Sequence, residues 1–158
     1  MNEATRHALI ERYKNGHQEV VDALGGITEA ELDARAAPDE WTPREIVHHL
    51  ADSEFTSAIR LRRLLAEDHP AIDGYDEAEF ARRLHYDRPV DTSLEALRAA
   101  RRATASILDR MGEAEWARGG THSESGRYGV EDWLRIYAAH AHDHAAQIRR
   151  ARGAAGGA

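Results

Sequence analysis

Cysteine is absent from the 158 residues. That excludes disulfides, zinc knuckles and a cysteine nucleophile of the chain's own. Aromatic residues make up only 6% of the chain, and runs of β-branched residues are nearly missing, so little here builds a sheet-based core. No apolar run approaches the roughly 20 residues of a membrane-spanning helix, and the N-terminus lacks the apolar segment of a secretory signal. The expected location is the cytoplasm, with no membrane partner. Positive charge is also short: 21 Lys and Arg stand against 28 Asp and Glu, a net charge of −7. The whole-domain basic footprint of a nucleic-acid binder is therefore missing. Arg60, Arg62 and Arg63 cluster locally, at a spacing that more often solvates a helix. There is no serine triad, glycine-rich phosphate loop, His-Glu-x-x-His motif or internal repeat.

What the chain does have favours helix. Alanine, leucine, arginine and glutamate dominate, with hydrophobic residues at 42% and charged residues at 31%. The length suits one soluble domain over residues 1–152, with residues 153–158 as a flexible, glycine-rich tail. A first helix is predicted from Glu3 to Leu24, with Ile10, Tyr13, His17, Val20 and Leu24 facing a core and Gly25-Gly26 ending it. Thr28 to Glu31 reads as a capping box on a short helical turn. The second long helix has the clearest start: Thr42 as N-cap, Pro43 at the first helical position, Glu45 closing the capping box and Trp41 stapled to Ile46. It runs to about Leu65, with Ile46, Leu50, Ser53, Ser57, Leu61 and Leu64 as its core line and His48 pointing to solvent. The small serines suit either a pocket or close helix packing.

Residues 67–91 form a long connection with a short helix over Asp76–Leu84. Such a link can run back along a whole helix, so the second and third helices need not be antiparallel neighbours. The third helix is predicted to start at Thr92, with Glu95 completing a capping box, and to end at Gly112. A loop over Glu113–Tyr128 follows, and then the last helix from Val130. Four long amphipathic helices and no convincing strand predict an all-α fold, a four-helix bundle with long connections.

The last helix carries the chemistry. His140 and His144 are one turn apart on one face, where two imidazoles can grip one metal ion. A helix whose histidines are hydrogen-bonded at the core edge shows the same pair. A catalytic site of this kind has three protein ligands and an open position. His17 and His49 are the two further histidines that periodicity places beside the core, and His49 is the better placed, one turn from Ser53. A di-iron bundle needs two Glu-x-x-His motifs. The chain supplies only Glu45-Ile46-Val47-His48.

Two stretches carry a resemblance. W-T-P-R-E-I-V-H-H-L-A-D-S-E at 41–54 and H-A-H-D-H-A-A-Q-I at 140–148 resemble motifs of the DinB/YfiT-like family of metal-dependent enzymes, as do Ile59–Leu65 and the surroundings of Tyr75. The likeness spans about residues 5–150. One departure is Gly129, where the family often opens the last helix with a hydroxyl residue. The resemblance implies a four-helix bundle with a three-histidine metal site, its ligands falling on His49, His140 and His144. It also implies a divalent ion, zinc or nickel first among the ions that imidazoles suit.

Such an ion acidifies water for hydrolysis or a thiol for S-transfer. The family includes S-transferases that use bacillithiol or mycothiol, and the bacillithiol transferase-like branch is the one implied here. The expected function is thus a metal-dependent transferase or hydrolase acting on a small molecule with a low-molecular-weight thiol or water. A non-catalytic metal- or ligand-binding stress protein and a purely structural bundle are the rivals. Around the site, Gln147 is expected to hydrogen-bond a ligand histidine or hold the mouth of the site. Asp52 and Asp143 are candidate acceptors for ligand imidazoles, and Arg60 for meeting a cofactor carboxylate, with Ser53 at the pocket. An exposed bundle face suits a homodimer.

Overall fold

In the computed structural model, which describes residues 1–155, the long helices fall where their periodicity places them. Glu3–Leu24 forms α1, capped by the Asn2 side chain. Thr28 and Glu31 form a full capping box on the short α2, Glu29–Leu32. Pro43–Ala66 forms α3, with the Thr42–Glu45 capping box complete. Glu77–Arg83 is α4, capped by Asp76, and Asp91–Leu108 is α5. Glu113–Trp116 is α6 and Val130–Ala155 is α7. Three boundaries differ from expectation. The ladder of α5 already begins with Leu94 N–H bonding Val90 O, which leaves Thr92 inside the first turn, so no Thr92–Glu95 box forms. The helix then stops at Leu108, short of Gly112. At the other end of the chain α7 continues through Gly153 to Ala155, where a tail was expected, and residues 156–158 of that tail lie outside the described residues.

The four long helices form a bundle of uncommon order. α7 packs on α1 and α3, and α5 packs on the same two. Helices α1 and α3 are successive long helices of the chain yet lie across the bundle. Arg6 meets Glu131 and Glu19 meets Arg149, so α1 and α7 are parallel. His48 meets Ser93 and Arg62 meets Thr104, so α3 and α5 are also parallel. His49 meets His140 while Trp133 Nε1 donates to Ser57 O, so α3 and α7 are antiparallel. The long connection after α3 is what lets the chain return to the same end before α5 begins.

Strands are present, contrary to the sequence reading. Ala71–Ile72 (β1) pairs in parallel with Gly119–His122 (β2), which pairs antiparallel with Gly126–Gly129 (β3). These strands are short and glycine-rich and show no long alternation, so nothing in their local pattern announces them. A Cβ on Gly120 would stand 2.2 Å from Pro70 O, so only glycine lets β1 approach. His122, unplaced in the sequence, is buried on β2.

The bundle core is split. One apolar cluster around Leu61, Leu64, Trp133 and Leu134 fills the end next to the sheet. A second, around Ile46, Leu50, Leu97 and Ile148, fills the other. Between them lies a buried polar layer centred on Glu54 and Arg101, whose side chains are each 2% exposed and 2.8 Å apart. Gly16 makes room for it, because a Cβ there would stand 2.7 Å from Arg101 Nη2 and 2.8 Å from the Ala141 Cβ. His48 is a correction. It is fully buried, with Nδ1 on Ser93 Oγ at 2.8 Å and Nε2 on Arg88 O at 3.0 Å. α3 is covered on two sides, by α5 and by α7, so the face 100° from His49 is also inside. No helix among the described residues is long and apolar enough to cross a membrane.

Candidate metal centre

The antiparallel contact of α3 and α7 brings three imidazoles together. His49 comes from the second turn of α3, and His140 and His144 from successive turns of α7. One ring nitrogen from each lies within 4.8 Å of the other two. His49 Nε2 and His140 Nε2 are 3.2 Å apart. Two nitrogens on one tetrahedral ion, with bonds of about 2.0–2.1 Å, stand about 3.3 Å apart. The donor set therefore fits a divalent ion such as zinc. His144 Nδ1 donates to Gln147 Oε1 at 2.9 Å. An amide oxygen only accepts, so the proton sits on Nδ1 and Nε2 is left as a bare donor atom. Trp41 covers the group, its ring 4.5 Å from that of His49 and near-parallel to His144 at 6.5 Å. Tyr137 meets His140 edge-on at 5.9 Å.

Burial keeps all three rings neutral. It lowers His49 to about 3, helped by the neighbouring His144, and lowers His140 to about 2, helped by His144, His49 and Arg101. His144 is lowered for the same reason, against the opposing bond to Gln147. Lone pairs on unprotonated nitrogens are what a metal ion requires. The sign for stability follows. A histidine with a depressed folded value contributes its full stability above the unfolded value of about 6.5, and loses it as pH falls toward the folded value. Metal-free protein is expected to melt at progressively lower temperature between about pH 7 and about pH 4. A flat profile in thermal unfolding would show that the rings accept protons freely.

The other candidate residues separate. Gln147 reaches the His144 imidazole directly. Ser53 is buried one turn from His49, beside the Tyr75 hydroxyl. Arg60 Nη1 donates to Tyr137 Oη at 3.0 Å and Nη2 to Asp73 O at 2.5 Å. Asp52 instead accepts from Tyr86 Oη at 2.7 Å, and the exposed Asp143 faces Arg12 at 4.0 Å, so each has a partner other than the three imidazoles. His17 lies apart from the cluster, half-buried near Arg98 and Arg101. His142 bonds Arg12 O on α1. Trp41 and Tyr137 carry no site signal in the sequence. Trp41 serves the helix start in the sequence, and Tyr137 belongs to an apolar stripe, although it stands one turn before His140.

Fold and site together define a class: a helical bundle whose interior presents three neutral imidazoles, from two helices, to a single point. The chain belongs to the DinB superfamily, matching it over residues 12–148. It is 35% identical over 118 residues to a candidate metal-dependent hydrolase of Oceanobacillus iheyensis, covering 75% of this chain and 69% of that one. It is 30% identical over 134 residues to a similarly named protein of Bacillus mycoides, covering 85% and 78%. Its fold matches that of YfiT from Bacillus subtilis, described as a probable metal-dependent hydrolase with an unusual four-helix bundle topology. That match has a TM-score of 0.92 and 26% identity, over 99% of this chain and 90% of that one.

Proposed function

We propose that this protein is a metal-dependent hydrolase in which His49, His140 and His144 hold a divalent ion, with zinc or nickel best suited to the all-imidazole set. The observation that carries this is the convergence of the three ring nitrogens within 4.8 Å, with Gln147 fixing the tautomer of His144. A divalent ion supplies Lewis acidity there, lowering the pKa of a water or thiol at its open position. The chain's own residues do the rest. Trp41 closes one side against bulk water and holds the His49 and His144 rings in place. Tyr137 supports the edge of His140. Replacing Gln147 with alanine frees the His144 ring and is expected to weaken metal affinity about 10- to 100-fold, read by competition with a chromophoric chelator.

Transfer of a thiol is the finer alternative for the same site. With no cysteine in the chain, the sulfur nucleophile would be brought in as a low-molecular-weight thiol of the bacillithiol or mycothiol type. Zinc- or nickel-loaded protein and its His140→Ala variant would be compared on a panel of activated esters and amides, with and without added thiol. The same pair would be tested in thiol conjugation to a fluorogenic electrophile. Hydrolysis without thiol, lost in the variant, supports the hydrolase. Turnover only with thiol supports transfer. Neither reaction in fully loaded protein would leave a metal-binding protein without catalysis.

A further inference from the structure

Beside the three imidazoles lies a second polar cluster that the metal reading does not use. Arg60 is half-buried on α3 and, among the described residues, makes no ion pair within 4.0 Å. Its guanidinium spans Tyr137 Oη and Asp73 O and lies 5.9 Å from the centre of the Tyr75 ring. Its Nε is buried with no hydrogen-bond partner, and so are the hydroxyls of Tyr75 and Tyr128. Tyr128 is only 5% exposed and its hydroxyl faces that of Tyr137. Tyr137 accepts from Arg60, so its own proton is free to donate. Buried polar atoms are satisfied in all but a few cases, and several orphans in one place signal an absent partner. All of these orphans are donors: one guanidinium N–H and the tyrosyl O–H groups. Burial raises the phenols, Tyr75 to about 12, so they stay protonated. Among the acids, Glu77 faces Arg60 and Glu124 faces Glu77, but neither forms an ion pair with the guanidinium.

We propose that Arg60, Tyr75, Tyr128 and Tyr137 form a subsite for the carboxylate of a small-molecule substrate whose reacting end lies at the histidine cluster. One carboxylate accepts about four hydrogen bonds, which matches the donors left over. A single cation balances one negative charge and not two, and Glu77 nearby opposes a second, which favours a carboxylate over a phosphate dianion. Tyr137 joins the two regions, since its hydroxyl meets Arg60 and its ring meets His140. Ser53, one turn from His49 and beside the Tyr75 hydroxyl, stands next to both. Arg60 and Tyr75 keep part of their surface exposed, so the cluster reaches solvent on that side. The proposal deepens the hydrolase reading by naming the substrate class, and rests on it only for where the reacting end sits.

The test titrates butyrate, butyramide and inorganic phosphate into the full chain, both metal-free and zinc-loaded, by calorimetry and by NMR. The proteins compared are the parent, Arg60→Gln, Tyr75→Phe and Tyr128→Phe. Butyrate is expected to bind saturably in the millimolar range with or without zinc. Arg60→Gln should weaken it about tenfold or more, and each phenylalanine variant about threefold. Butyramide and phosphate should bind at least tenfold more weakly. The Tyr75→Phe and Tyr128→Phe variants remove hydroxyls that face only another hydroxyl, those of Ser53 and Tyr137, so they keep the test valid if Arg60→Gln melts early. Binding that appears only with zinc, that survives Arg60→Gln and both phenylalanine variants, or that favours phosphate would overturn the subsite. So would no saturable binding of butyrate. Arg60-dependent binding in a chain that takes up no zinc would keep the subsite and remove the metal reading.

Discussion

Replacing His140 with alanine is expected to lower zinc affinity more than a hundredfold and to abolish the metal-induced rise in melting temperature. Zinc sites with four protein ligands bind with about 10–16 kcal/mol in total, so one imidazole carries about 3 kcal/mol. That corresponds to more than two orders of magnitude in the dissociation constant. His140 is the central member of the group, 3.2 Å from His49 through Nε2 and one helical turn from His144. No other imidazole packs close enough to replace it, because His142 is tied to Arg12 O and His48 to Ser93. Parent protein is expected to hold about one ion per chain. At a hundredfold excess over the dissociation constant the ion stabilises the fold by about 2.7 kcal/mol, which is about 5–10 °C for a domain of this size. Mass-spectrometric metal content and thermal unfolding, with and without zinc, measure both. His142→Ala should behave as the parent. Equal zinc content in the parent, His140→Ala and His144→Ala would rule out a centre shared by α3 and α7.

Replacing Glu54 with alanine is expected to destabilise the protein by about 3–5 kcal/mol, which lowers its melting temperature by about 10 °C. Glu54 takes a hydrogen bond from Tyr13 Oη and an ion pair from Arg101 Nη1. Arg101 in turn donates through Nε and Nη2 to Tyr13 O, and through Nη2 to Tyr137 O at 3.3 Å. Its guanidinium also lies 3.9 Å from the Tyr13 ring centre. The network touches all four long helices. Removing the carboxylate leaves an unpaired guanidinium in the interior, and desolvation of that charge is the larger part of the loss. The double variant Glu54→Gln with Arg101→Met removes both charges and should recover most of the stability. Tyr137 is the residue through which this layer reaches His140, so Glu54→Ala should also weaken zinc binding, by less than His140→Ala does. A single variant that melts within about 2 °C of the parent would show that water reaches the pair and screens it.

Glu54 and Arg101 show where local patterns mislead. Arg101 stands on the same line as Leu97, Thr104 and Leu108, and Glu54 on the line of Val47, Leu50 and Leu61. Both were inside the apolar stripe, but a charged residue near the stripe reads as solvent-facing until its partner on another helix is known. His48 is hidden for the same reason. Its burial depends on α5 and on Arg88 from the connection, both more than 35 residues away in the chain. The sheet was hidden because its strands are too short to show a period, and its stability comes from pairing across the chain.

The four long helices, the Thr42–Glu45 cap of α3 and the two-histidine face of α7 were legible in the amino-acid sequence alone. Each of these depends on residues within one or two turns, and the backbone reads that information locally. The stretch at 41–54 also singled out His49 from its neighbour, because 100° of helical rotation separates adjacent side chains. The antiparallel meeting of α3 and α7, which brings a pair of histidines and a third far away in the chain to one place, emerges only in the packed fold. Only it decided that Trp41 covers that centre, that Gln147 orients His144, and that an arginine and a glutamate share the core. Those outcomes depend on which faces pack together, and packing is set by the whole set of helices and connections at once rather than by any one stretch of the chain.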